Sequence, residues 1–180
     1  MRKQGEESIR SFSCSNRWEV AFIDYIRLNA NMPFGYYLIA GTIGIVLILV
    51  TKKWNLSVLI PYMFLVLAAT VLTRDAGESA KYHLKLFWSY GSAFRYQKNQ
   101  ILANIVMFIP IGVFLGFEKK RWSVVYGVLF SILIELIQLI THRGMFELDD
   151  IFHNTYGLLL GFLGTVEIRQ IVKFVKERSR

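Results

Sequence analysis

The sequence predicts an all-α integral membrane protein, a polytopic bundle of about five transmembrane helices preceded by an amphipathic helix at the membrane interface. Of its 180 residues, 54% are hydrophobic and 19% are charged, whereas soluble domains carry about 25% charged residues. Residues 28–51, 54–73 and 99–117 include no charged side chain. Because about 20 apolar residues cross a bilayer core as a helix, these runs exclude a soluble domain and indicate a multi-pass protein of the cell membrane.

The apolar runs and the breakers between them place the transmembrane helices at 34–51, 56–73, 100–117, 122–141 and 150–167. Ahead of them, residues 1–33 form an N-terminal arm. Within 16–30 of this arm, apolar side chains recur at helical spacing with charged residues between them, which is typical of a helix lying in the membrane interface. Residues 34–180 are expected to form a single transmembrane domain, because no internal repeat divides them.

The net charge of +8 would suit nucleic-acid binding, but basic cytoplasmic loops near anionic headgroups explain it more simply. We therefore expect the lipid bilayer, and no nucleic acid, as a partner.

Basic residues of the short loops predict the topology. With five spans, the short loops that carry Lys52, Lys53 and the basic run 119–121 lie on the same side as the C-terminal tail. Short basic loops stay in the cytoplasm. This predicts a cytoplasmic C-terminus and places 74–98 and 142–149 outside.

Polar side chains concentrate in the last three predicted spans, toward their outer ends. Glu135, Gln138 and His142 are spaced i, i+3 and i+7 and so share one helix face. At ~1.5 Å per residue, Asn104, Glu135 and Asn154 lie about 6–9 Å below the surface. On the fifth span one narrow stripe carries Asp150, Asn154, Gly157, Gly161 and Gly164. The spacing therefore predicts a shared hydrophilic layer between the last three spans.

An acidic residue at mid-membrane costs roughly 2.5–3.5 kcal/mol, so it faces a bundle interior or a wet cavity. Arg143 is the expected cation for Glu135 or Asp150, and the three glycines, Gly157, Gly161 and Gly164, would allow close helix packing. Alternatively, the polar groups serve only as hydrogen bonds between helices, at about 0.6 kcal/mol each. The candidate ligand-binding or polar-layer residues are Arg74, Asn104, Glu135, Gln138, Arg143, Asp149, Asp150 and Asn154.

The remaining polar residue types indicate no cofactor and no metal. The three histidines, which we expect at the membrane interface, have no metal-binding spacing; they are His83, His142 and His153. The single cysteine, Cys14, cannot form an internal disulfide.

These residues also carry a family resemblance. Residues 104–112, NIVMFIPIG, resemble the N-x-x-x-F-x-P-x-G segment of VanZ-like proteins, and 135–138, ELIQ, resemble the E-x-x-Q of that family. Residues 149–161 are similar to its D-D-x-x-x-N-x-x-G-x-x-x-G. Arg74 and the later LFWSY at 86–90 resemble the family's arginine and P-F-like patch, with Leu86 or its neighbour in the place of the proline.

The quoted motifs cover about 57–165, so the arm and the first span look like an extension of this core. The resemblance implies an association with low-level resistance to teicoplanin-type glycopeptide antibiotics in Gram-positive bacteria. It implies no mechanism.

Three kinds of function fit the sequence. A binding protein would recognise a lipid-linked cell-wall precursor or a lipoglycopeptide at the outer face, because cations and aromatic residues alternate in the outer loop. Cations suit phosphate, and aromatic side chains anchor at headgroups or stack on sugars; an ordinary aromatic belt with snorkelling lysines has the same composition.

A membrane-embedded enzyme would use Glu135 and Asp150 as its catalytic candidates. Glu135 would act as general base on a lipid-linked substrate, and Asp150 and Arg143 would orient phosphate, directly or through a divalent cation held by Asp149 and Asp150. No compact hydrolase or transferase signature supports this reading, so the sequence favours a binding protein.

A small transporter is the third kind of function. Without inverted repeats, a transporter of this size would require a homo-oligomer, and the sequence leaves the oligomeric state open.

Overall fold

The computed structural model describes residues 32–77, 81–90, 94–118 and 122–179, with side chains from 97 onward in the third of these segments. The interfacial helix predicted for 16–30, and most of the arm to which it belongs, lie outside the described residues.

The described chain is a bundle of five helices, which confirms the predicted all-α class. Helix α1 spans Phe34–Thr51, and α2 spans Trp54–Leu67 and continues as a π-helical turn at Ala68–Leu72. Helices α3 and α4 span Phe94–Phe117 and Ser123–Thr141, and α5 spans Leu148–Arg178. Two short strands pair in parallel, β1 at Lys81–His83 and β2 at Met145–Glu147, and a 3-10 turn follows β1 at Trp88–Tyr90.

Four of the described helices are long and apolar enough to cross a membrane: α1, α2 with its π-helical turn, α3 from Gln97, and α4. Helix α5 is not among them, because its first turns are polar and Glu167, Arg169 and Lys173 follow its apolar stretch. The polar side chains of the first turns face the bundle interior, since Asp149, Asp150, His153 and Asn154 are all buried. Helix α5 also continues to Arg178, eleven residues beyond the predicted span end at 167.

The centre of the bundle is the seam between α3 and α5, where the helix backbones touch. A Cβ atom added at Gly157 would overlap the carbonyl oxygen of Ile105, and one added at Gly161 would overlap that of Ile109. The seam continues at i+4 spacing through Thr165 to Arg169, which donates hydrogen bonds of 3.0 Å to the carbonyl oxygens of Gly116 and Phe117.

Gly164 does not belong to this seam, contrary to the sequence prediction. A Cβ atom at Gly164 would have no heavy atom within 4 Å. The reason is geometric: the contact follows one i±4 row of α5, and Gly164 lies off the row that runs from Gly157 through Gly161. On the other side of the seam, Gly112 of α3 takes part, because a Cβ there would overlap the Leu158 carbonyl oxygen.

Around the seam, buried apolar side chains of α2 to α5 form one core, with Phe108, Ile111, Ile134 and Leu158 at its centre. Helix α1 lies outside this core and packs on α2, where Gly44 approaches the backbone of Ser57. We call the end of the bundle with β1, β2 and the start of α5 the polar end. The opposite end carries Lys52, Lys53 and the continuation of α5 past Arg169.

Candidate functional site

Asp149 clamps the turn at Trp88–Tyr90 to the start of α5. Its carboxylate accepts hydrogen bonds from the backbone N–H groups of Phe87 and Ser89 and from the Ser89 hydroxyl. Phe87 has a positive φ of 62°, an uncommon conformation for a bulky residue. Asp149 thus positions the segment that resembles the aromatic patch of the VanZ-like proteins.

Asp150 points away from Asp149, toward α3. Gln100 donates a hydrogen bond of 3.1 Å from Nε2 to the Asp150 carboxylate, and the Asn104 amide lies close to the same carboxylate. Because the two adjacent aspartates serve different neighbours, the geometry does not support one divalent cation shared between them. In the part of the chain that the structure describes, no group of three or more His, Cys, Asp or Glu could hold a metal ion.

Glu135 lies beneath the polar end and is only 1% exposed. Its Oε2 accepts a hydrogen bond of 2.9 Å from the backbone N–H of Glu147 in β2. Glu147 is itself 5% exposed. Burial raises the pKa of the Glu147 carboxyl to about 7, and the negative charges of Asp150 and Asp149 act in the same direction. Helical spacing gives no signal for Glu147, because it lies outside the predicted spans; its backbone contact with Glu135 forms where β2 meets the start of α5.

Arg74, rather than Arg143, is the cation that faces these carboxylates. Arg74 interacts electrostatically with Glu135, Glu147 and Asp150. Arg143, the expected partner of Glu135 or Asp150, instead donates a hydrogen bond of 2.8 Å to the carbonyl oxygen of Leu72 at the end of α2. The prediction for Arg143 was therefore wrong in its partner. Arg143 was predicted because it is close to Glu135 and Asp150 in the sequence. The fold instead brings Arg74 to these carboxylates, although Arg74 precedes Glu135 by 61 positions.

The buried amides join α4 to its neighbours. Gln138 donates a hydrogen bond of 3.2 Å to the Thr70 carbonyl oxygen, and Asn154 donates one of 2.9 Å to the Ser131 hydroxyl. One polar atom in this layer, Asn154 Oδ1, is buried without a hydrogen-bond partner among the described residues. Hydrogen bonds thus connect polar residues of the predicted layer across helices, and Asn154 keeps one free acceptor.

Aromatic and histidine side chains cover the outer rim of this layer. Tyr90 Oη and His153 Nε2 share a hydrogen bond of 2.8 Å, and Phe87 packs edge-on against Phe152. His153 is 1% exposed, so it packs inside the bundle. Burial and the nearby charge of Asp149 raise the pKa of Tyr90.

An open pocket of about 480 Å³ lies beside the carboxylates at the polar end. We call it the cationic pocket, because its lining includes Arg74, Lys81, His142 and Arg143, with Asp75 as its acidic residue among those described. Gly144 also lines it, and a Cβ there would press on the Gln138 amide and the Arg74 guanidinium. The pocket and the buried layer therefore meet at Arg74.

The fold and this site define a multi-helix membrane protein whose buried carboxylates and amides lie under a cationic pocket at one end. The VanZ/LLP1 family model matches residues 7–170, most of the chain, and the chain therefore belongs to the VanZ/LLP1 family. The match extends beyond residues 57–165, which carry the quoted motifs. No curated protein and no solved structure was found to match the chain.

Proposed function

We propose that this protein binds the anionic headgroup of a lipid-linked cell-wall precursor or of a lipoglycopeptide in the cationic pocket, and so lowers the action of teicoplanin-type antibiotics at the membrane. The observation that carries the proposal is the lining of this pocket, where Arg74, Lys81 and Arg143 converge. Phosphate, pyrophosphate and carboxylate groups are the natural ligands of such a cluster.

The three cations contribute differently. Arg74 interacts electrostatically with the buried carboxyl groups beneath it, so it links the pocket to the layer. Arg143 uses one nitrogen on the Leu72 carbonyl, and the remaining guanidinium N–H groups can donate to a ligand. Lys81 is exposed at the start of β1. Lys81 and Arg143 are therefore the side chains that would contact the anion.

The aromatic side chains next to the site suit a ligand that sits at the surface of the bilayer. Tyr82 and Phe87 are large and exposed, and Phe87 is held in place by the Asp149 clamp. Aromatic side chains at this level anchor at headgroups and stack on sugars.

Binding to the purified protein in lipid nanodiscs tests the proposal. The probes are labelled teicoplanin, a pyrophosphate-linked lipid precursor of the cell wall, and inorganic pyrophosphate. We expect saturable binding of at least one lipid-bearing probe, and Lys81→Gln should weaken it about tenfold, since a charge-assisted hydrogen bond contributes roughly 1.5 kcal/mol or more.

Lys85→Gln is the matched control, because Lys85 is exposed and does not line the pocket. Cells expressing wild type, Lys81→Gln and Lys85→Gln would be compared for teicoplanin susceptibility. Absence of saturable binding to either lipid-bearing probe, or equal effects of the two lysine substitutions, would contradict the proposal.

A membrane-embedded enzyme is the second candidate, and the buried carboxylates favour it. A general acid–base works best with a pKa near the operating pH, and the pKa of Glu147, which lies beside the cationic pocket and above Glu135, is about 7. Glu135→Gln and Glu147→Gln would each be compared with wild type by mass spectrometry of extracted lipids. Identical lipid profiles in cells with and without the wild-type protein would refute this candidate.

A further inference from the structure

A second groove lies at the opposite end of the bundle, far from the cationic pocket. It has a volume of about 670 Å³ and runs along α5 beside the end of α3. We propose that this groove is a binding site for one phospholipid with an anionic headgroup, such as a phosphatidylglycerol.

The groove has an apolar part and a basic part, which match the acyl chains and the anionic headgroup of a phospholipid. Its wall is apolar at Phe162, Leu163 and Val166, and its rim is basic at Arg169 and Lys173. Arg169 lies where α3 ends, and Lys173 follows ~6 Å further along α5. An acyl chain would therefore lie against the apolar wall while the phosphate lies between the two cations.

Hydrogen bonds within the protein fix the Arg169 side chain before a ligand binds. Its Nη1 donates to the carbonyl oxygens of Gly116 and Phe117 at the end of α3. A guanidinium has five N–H donors, so the other nitrogens can still bind a phosphate oxygen. Fixing the side chain before the ligand arrives lowers the entropy cost of binding.

The charge of the lining selects an anionic lipid over a zwitterionic one. None of the seven described residues that line the groove is acidic. Glu177 lies 3.8 Å from the Lys173 ammonium, and both side chains are largely exposed. Phosphatidylcholine would place its own cation next to Arg169 and Lys173, whereas phosphatidylglycerol carries only the negative phosphate.

The test measures lipid binding to the purified full chain in a neutral detergent, by native mass spectrometry and by the shift in melting temperature. The probes are phosphatidylglycerol, phosphatidylcholine with the same acyl chains, and inorganic phosphate. We expect retained phosphatidylglycerol and a concentration-dependent rise in melting temperature, with a much smaller rise for phosphatidylcholine and none for phosphate. Equal effects of the two lipids, or an equal effect of free phosphate, would overturn the proposal.

Substitutions locate the site. Lys173→Gln should lower the affinity for phosphatidylglycerol about fivefold, because a cation near an anionic lipid surface contributes about 1 kcal/mol. Lys176→Gln is the matched control, since it removes a lysine one turn away that does not line the groove. If Lys176→Gln reduces binding as much as Lys173→Gln, the attraction belongs to the whole basic end and the groove is not the site.

Leu163→Trp tests the apolar wall without changing charge. Leu163 is 55% exposed on the surface of α5, so the larger ring should be accepted by the fold while it fills the groove. We expect a loss of phosphatidylglycerol binding with an unchanged melting temperature in detergent alone. Retained binding by this variant would overturn the proposal.

Discussion

Two glycines on one helix, three residues apart, should respond oppositely to the same substitution. Gly161→Ala and Gly164→Ala each add one methyl group to α5, and each gains about 1 kcal/mol of helix propensity. At Gly164 the methyl group meets nothing within 4 Å. Gly164→Ala should therefore leave the free energy of unfolding unchanged or raise it by up to about 1 kcal/mol.

At Gly161 the same methyl group would lie 2.9 Å from the Val113 nitrogen and would overlap the Ile109 carbonyl oxygen. Both obstacles are backbone atoms, so no side-chain rotation relieves the clash and α3 must move away from α5. Overpacking of this kind costs about 1–3 kcal/mol. Because the gain in propensity is the same in both variants and cancels, they should differ by roughly 1–3 kcal/mol, which corresponds to about 2–12 °C in melting temperature for a chain of this size.

The measurement is thermal unfolding of both variants in the same detergent, with wild type alongside. Gly157→Ala serves as a second seam position, because its methyl group would lie 2.8 Å from the carbonyl carbon of Ile105. A Gly161→Ala variant as stable as Gly164→Ala would refute the backbone contact between α3 and α5, and with it the geometry that brings Asp150 beside Gln100.

Three further predictions concern the polar end. Burial raises the pKa of Glu147 in the folded state to about 7, from an ordinary value of 4.5. Between these two pH values the folded state binds the proton more tightly than the unfolded state does. The free energy of unfolding should therefore fall by up to about 3 kcal/mol as the pH rises from 4.5 to 7. Glu147→Gln should remove this contribution, and equal pH slopes for the variant and wild type in equilibrium unfolding would contradict it. Asp149→Ala should cost about 3 kcal/mol by stranding donors at Phe87 and Ser89 and should increase hydrogen exchange at 87–90; unchanged exchange there would show that the clamp does not form. Asn154→Leu should lower the melting temperature by leaving the Ser131 hydroxyl unpaired, and a melting temperature equal to wild type would argue against a tight layer.

The membrane-spanning character of the chain could be predicted from composition because bilayers impose a length on apolar runs. The runs 34–51 and 122–141 correspond to α1 and α4 within one residue at each end. The end of α5 could not be predicted in this way. Beyond 167 the sequence alternates charged and apolar residues, which ends a transmembrane run; yet Glu, Arg, Lys and Gln are good helix formers, so the helix continues.

The candidate site could be predicted in part because helical spacing fixes which side chains share a face. Spacing alone places Glu135 with Gln138, and Asp150 with Asn154. It cannot give the direction of a side chain from a loop or the path of a loop. The Asp149 clamp on Ser89 joins residues 60 positions apart, and the place of Glu147 above Glu135 depends on pairing between β1 and β2. Neither contact can be predicted from the spacing of residues along one helix.

The position of Arg74 explains why the buried carboxylates and the cationic pocket belong to one site. Isolated acids within a bundle are costly, and Arg74 is a cation whose charge opposes those of Glu135, Glu147 and Asp150. The same guanidinium lines the pocket beside Lys81 and Arg143. An anion that enters the pocket would compete with the carboxylates for Arg74, and protonation of Glu147 would release Arg74 toward the ligand. In the proposed function, the carboxylate layer would therefore set how strongly the pocket attracts an anion, without any of its members having to touch that anion.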